Sequence, residues 1–175
     1  MRAEWHALSA LGQQVTVSAI SPGGAYSSPA TTSTLFPTAN KAFYFPVRLA
    51  KPFRPALIFW GNGATASGNV DAGIYDLAGT RLFSTGSTAQ SGTTTLQSVS
   101  VSGLLLAAGR YYVALAADNT TATFLRGAQS VTLQRGYGAL QQASAFPLPA
   151  TATFAALAST MLGIPLLGLS RKAVL

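Results

Sequence analysis

Gly68-Asn69-Val70-Asp71-Ala72-Gly73-Ile74-Tyr75-Asp76-Leu77-Ala78-Gly79-Thr80-Arg81-Leu82-Phe83-Ser84-Thr85-Gly86 is the stretch whose reading decides the fold. Val70, Ala72 and Ile74 alternate with Asp71, Gly73 and Tyr75, the period of a strand with two different faces. Asp76 to Gly79 carry turn chemistry, and Leu82-Phe83 begin a returning strand, so the stretch reads as a β-hairpin. Arg110-Tyr111-Tyr112-Val113-Ala114-Leu115-Ala116-Ala117 follows the turn Ala107-Ala108-Gly109 and is expected beside the hairpin in one sheet.

The segments around the hairpin repeat this grammar. Phe43, Phe45, Val47 and Leu49 share one parity and Tyr44, Pro46, Arg48 and Ala50 the other; Pro46, without an N–H, argues for an edge position or a bulge. Ala56-Leu57-Ile58-Phe59-Trp60 is apolar on both faces and is expected to be a central strand ended by Gly61-Asn62-Gly63. Further strands are expected over Thr93–Val101, Ala122–Leu125, Val131–Leu133, Thr151–Leu157 and Ile164–Leu169, with a helical turn or loop over Ala139–Ala145. Strands separated by short Gly, Asn and Pro clusters are the pattern of an all-β, antiparallel sandwich of jelly-roll type. Residues 1–35 read as an extended N-terminal arm holding at most one strand, and residues 36–175 as a single sandwich domain that includes the C-terminal strands.

Composition narrows the function classes. The 175 residues suffice for one domain with a sizeable core, and the absence of cysteine removes disulfides, thiolate nucleophiles and cysteine metal sites. Charged residues are 9% of the chain, against about 25% in a typical soluble domain. So sparse a charge favours a surface covered in part by other subunits. The net charge of +7 sets eleven basic residues against Glu4, Asp71, Asp76 and Asp118 and favours acidic partners. Because the bases form no run denser than Arg48 to Arg54, they read as a solvated or interface surface, and direct nucleic-acid binding is not expected. The uncharged stretch from Phe146 to Ser170 is broken by Pro147, Pro149 and Pro165, so no membrane insertion is expected. Glu4 and the lack of an apolar run before Gln13 argue against a secretory signal.

The inventory for catalysis is nearly empty. His6 is the one histidine, and Asp71 and Asp76, five residues apart, would face opposite sides of a regular strand. Asp76 fits better as the first residue of the turn, bonding backbone amides. No nucleophile elbow, phosphate-binding glycine loop or acid-rich calcium loop is present, so no catalytic residue, metal or cofactor is expected. Trp60 reads as core, whereas Tyr75 and Tyr137 are candidates for partner or glycan contacts, with the loop tip at Leu77 and with Arg126 and Arg135 flanking. Trp5, His6, Val15, Val17 and Ile20 are the candidate contacts of the arm.

The chain resembles small β-rich virion proteins of tailed bacteriophages, of the tail-fibre, tail-adaptor or head-decoration kind. The residues that carry the likeness are Ser67 to Asp76, Gly86 to Gly92, Ala108 to Leu115 with Asn119 to Phe124, and Leu148 to Ala152, within roughly residues 40–170. The resemblance implies a non-enzymatic structural component of the virion, assembled in the host cytoplasm, whose partners are copies of itself and other virion proteins. The alternative expectation is a carbohydrate-binding module for host surface glycans, resting on exposed aromatics.

Overall fold

A computed structural model describes residues 14–16, 32–127, 130–158 and 163–171. In chain order these form β1 (Gln14–Thr16), β2 (Thr32–Leu35), β3 (Lys41–Leu49), β4 (Leu57–Gly61), β5 (Asn69–Tyr75), β6 (Arg81–Ser84), β7 (Thr88–Ala89) and β8 (Leu96–Ser100). Then follow β9 (Gly109–Ala117), β10 (Thr123–Gly127), the helix α1 (Val131–Gly136), β11 (Leu140–Gln142), β12 (Ala155–Ala156), β13 (Ile164–Pro165) and β14 (Leu167–Ser170). Every strand pairing is antiparallel.

One layer is the sheet β12-β11-β3-β9-β5-β6, with β7 also on β5. The hairpin is β5 and β6, and β9 lies beside it with Ala72 opposite Leu115 and Ile74 opposite Val113. The other layer consists of the sheets β1-β14-β4-β8 and β13-β10-β2. Leu166 is the corner between them: its N–H donates to the Leu125 carbonyl and its carbonyl accepts from the Gly61 N–H, both at 2.8 Å. The inner face of the first layer, with Phe43, Phe45, Val70, Ile74 and Leu115, packs against Ile58, Trp60, Phe124, Leu167 and Leu169 of the second. This is a β-sandwich, and its core follows the strand parities.

The outer face of the first layer is also covered. Residues 145–154 cross it as a strap, burying Ala42, Tyr44, Tyr75, Ala114 and Ala116 beneath Leu148 and Ala152, with Phe154 packed against them. The strap is not the continuous strand expected over Thr151–Leu157: apart from a Thr151 bridge to Thr80, only β12 pairs, with β11. Its N–H groups find other acceptors, Leu148 on the Asp71 carboxyl at 2.9 Å and Thr153 on the Gln142 amide at 2.8 Å.

Other segments also depart from expectation. Val131–Leu133 opens α1 instead of forming a strand, because the Ser130 hydroxyl caps the helix by accepting the Leu133 N–H. Val131 and Gln134, one helical step apart, turn to the protein. Ala139–Ala145 contains β11, whose three residues pair with Ala42 to Tyr44. Pro46 lies in a strand flanked on both sides, yet β11 ends at Tyr44, so the missing N–H falls where β3 has lost its second neighbour. Ile164–Leu169 is split by the Leu166 corner. Within residues 1–35, β1 pairs with β14 and β2 with β10, so this segment gives both sheets of the second layer a strand.

Candidate functional site

The alternation in β5 sends Val70, Ala72 and Ile74 into the sandwich and Asp71, Gly73 and Tyr75 to the outer face, where the strap buries them. Tyr75 is therefore no surface contact: it is 0% exposed and its hydroxyl donates to the Pro149 carbonyl at 2.6 Å. Its ring meets Tyr44 edge-on at 5.2 Å, and the Tyr44 hydroxyl donates to Gln142 at 2.9 Å. Burial pushes the Tyr44 phenol from its ordinary 10.0 up to about 12, against a small opposing effect of the Tyr75 hydroxyl. Tyr75 is pushed up further, by burial first and then by Tyr44, with Arg81 pulling the other way. Gly73 makes this close packing possible, since a Cβ there would stand 2.7 Å from Leu148 Cδ1 and 2.9 Å from the Phe83 carbonyl oxygen.

Leu77 is exposed at the hairpin tip, which Asp76 holds by accepting the Thr80 N–H at 2.8 Å. Tyr137 follows α1 and packs, half-buried, against the inner core. Tyr75 and Tyr137 thus belong to opposite faces of the first layer and form no shared platform. Arg135 Nε donates to the Leu157 carbonyl at 2.6 Å, tying α1 to the end of the strap. Arg126 stands in β10 opposite Pro165 and Thr32, its Nε buried without a hydrogen-bond partner. Of the arm candidates, Val15 is in β1 opposite Leu169; Trp5, His6, Val17 and Ile20 lie outside the described residues.

The described carboxyl groups hold the fold together. Asp71, fully buried, accepts from the Ser84 and Thr85 hydroxyls and from the Leu148 N–H, pinning hairpin and strap to one group. Asp118 accepts from the Asn69 backbone and side chain and from the Asn119 amide. Partial burial raises its carboxyl, and those hydrogen bonds outweigh it and leave the group below its ordinary 3.8. Among the described residues no three His, Asp or Glu side chains gather as a metal site.

The cations do gather. Arg48 in β3 stands directly opposite Arg110 in β9, both exposed on the outer face where the strap no longer covers it. Beyond Arg48 the chain runs Ala50-Lys51-Pro52-Phe53-Arg54, with Phe53 buried and bridged to Leu106 in the segment leading to β9. Arg171 closes the group from the other layer: its Nη2 donates to the Pro52 carbonyl at 2.9 Å and its guanidinium lies over the Phe53 ring at 4.9 Å. Among the described residues no hydrogen bond or ion pair engages the side chains of Arg48, Lys51, Arg54 or Arg110. Arg48, Lys51 and Arg54 are close in sequence, and what brings Arg110 and Arg171 to them is the β3–β9 register and the Arg171 contact, neither of which spacing reveals.

A second polar cluster is closed on itself. Asn62, 0% exposed, donates to the Ser91 carbonyl and the Gln97 amide and accepts from Gln90, which also donates to the Thr123 carbonyl. With its donors and acceptors mutually engaged, this network fastens the loop after β7 to the corner of the second layer.

Compared with models of known protein families, with curated proteins and with solved structures, the chain matches none.

Proposed function

We propose that this chain is a non-enzymatic structural component of a tailed-phage particle, present in symmetric copies and fastened through its N-terminal segment. The observation that carries the reading is β1. Three residues, Gln14 to Thr16, complete the second layer by lying along the edge of β14, with Gln14 opposite Ser170 and Thr16 opposite Gly168. Residues 17–31 separate this strand from β2, a length that spans at most about 50 Å when extended. The same backbone ladder therefore closes within one chain or between neighbours, the geometry by which strand exchange builds assemblies. The described carboxyl groups, each used to hold a loop or the strap, further support a structural rather than catalytic part.

Copies of this chain and other virion proteins are the proposed partners, and the virion the proposed location. Deleting residues 1–30 is expected to leave a folded sandwich with a strand-type circular dichroism spectrum while the protein disappears from purified particles. Normal incorporation of the truncated chain overturns the reading. The carbohydrate-binding alternative loses Tyr75 to the core; glycan-array binding that vanishes in Tyr137→Ala would favour it over the assembly reading.

A further inference from the structure

We propose that the cationic end of the sandwich, formed by Arg48, Lys51, Arg54, Arg110 and Arg171, binds double-stranded nucleic acid through its phosphates without reading base sequence. The inference is independent of strand exchange through β1, because none of these residues lies in β1 or in the edge it covers.

Like charges directly across an antiparallel pair repel and cost folding stability, yet Arg48 faces Arg110, and among the described residues no carboxyl group pairs with either. Asp76, the acid on the loop at the same end of β5, is turned onto the Thr80 N–H, and Asp118 follows β9 at its far end. An end whose described charges are all cationic suits a uniformly anionic polymer better than a protein surface, where both signs of charge are mixed. Four of the five cations are arginines, whose planar fork grips phosphate oxygens in pairs. Arg171 is already held in place by Pro52 and Phe53.

The surroundings choose among polyanions. Single strands are bound by stacking bases on exposed aromatic rings, and sugars by similar platforms. Here Phe53 is buried beneath Arg171, and Tyr111 is half-buried with its hydroxyl donated to the Ala107 carbonyl. The intervening residues Ala50, Pro52, Ala107 and Ala108 offer no side-chain hydrogen bond to a base edge. What remains is contact with a phosphate backbone, the sequence-independent mode of duplex binding.

The test is fluorescence anisotropy of a labelled DNA duplex of about 20 base pairs with the full chain, titrated at several salt concentrations. The expected result is binding that weakens steeply with salt, log K falling against log salt with a slope of about −4.5 for five phosphate contacts, and that ignores base sequence. The double substitution Arg48→Gln with Arg110→Gln is expected to reduce the slope by about 2 and the affinity at least tenfold. Its melting temperature should be unchanged or higher, because the repulsion is gone, which separates loss of binding from loss of fold. Absence of duplex binding at low salt, an unchanged slope in the double variant, tighter binding of a single strand, or binding of heparin alone would each overturn the proposal.

Discussion

Asp71 shows how much of this fold hangs on single polar groups. Its carboxyl oxygens receive the hydroxyls of the neighbours Ser84 and Thr85 and the backbone N–H of the distant Leu148. Asp71→Ala leaves the buried Leu148 N–H without its acceptor and takes one from the half-buried Ser84 and Thr85 hydroxyls, and a loss of about 3 kcal/mol is expected in urea unfolding. Tyr75→Ala is expected to destabilise on a similar scale, since it empties a fully buried ring site. The two phenols add a dependence on pH. With Tyr44 raised from 10.0 to about 12 and Tyr75 raised further, the unfolded chain releases these protons first, so it binds fewer protons than the folded chain at alkaline pH. Stability is therefore whole below about pH 10 and falls as pH rises from there. Tyr44→Phe removes one of the two groups, and urea midpoints measured across this range should fall less steeply than in the parent.

At the scale of elements, the hairpin works because its turn is tied both to itself and to the strap. Gly79 has φ +88°, and a Cβ there would stand 2.8 Å from the Ala152 carbonyl oxygen, whose residue donates its N–H back to Gly79. Gly79→Ala is expected to cost about 2 kcal/mol by strain plus clash, whereas Gly86→Ala, with φ +66° and open space, should cost about 1 kcal/mol. Thermal melts of the two variants separate the terms. The hairpin, β3, β4 and β9 were legible in the sequence because their alternation or two-faced apolarity is a local signal. The helix α1 was not, since the β-branched Val131 and Thr132 favour strand locally and the deciding Ser130 cap is one hydroxyl. The strap was also hidden: its backbone pairs with side chains such as Asp71 and Gln142, for which no periodicity exists.

For the whole molecule, parity was readable and cover was not. Alternation correctly put Asp71 and Tyr75 on the face away from Ile74, but whether that face meets water depends on residues 145–154 crossing it. The same limit applies to the cations. Arg48 to Arg54 are neighbours in sequence, while Arg110 and Arg171 join them only through long-range register and a contact between layers. The closed amide network of Asn62, Gln90 and Gln97 likewise draws on loops that look interchangeable as Ser, Thr, Gly and Gln composition.

The place of β14 between β1 and β4 bears on the order in which the protein can form. The second layer joins an early segment to the last strand of the described chain, so its edge on β4 stays open during synthesis until residues 164–170 have emerged. Such long-range closure is a slow folding step, and the waiting intermediate has Ile58 and Trp60 without their cross-strand neighbours Leu169 and Leu167. A chain stopped at residue 162 is expected to bind a hydrophobic dye and precipitate, whereas the full chain, once closed, should do neither. Vectorial synthesis thus leaves the completion of this core to residues 164–170.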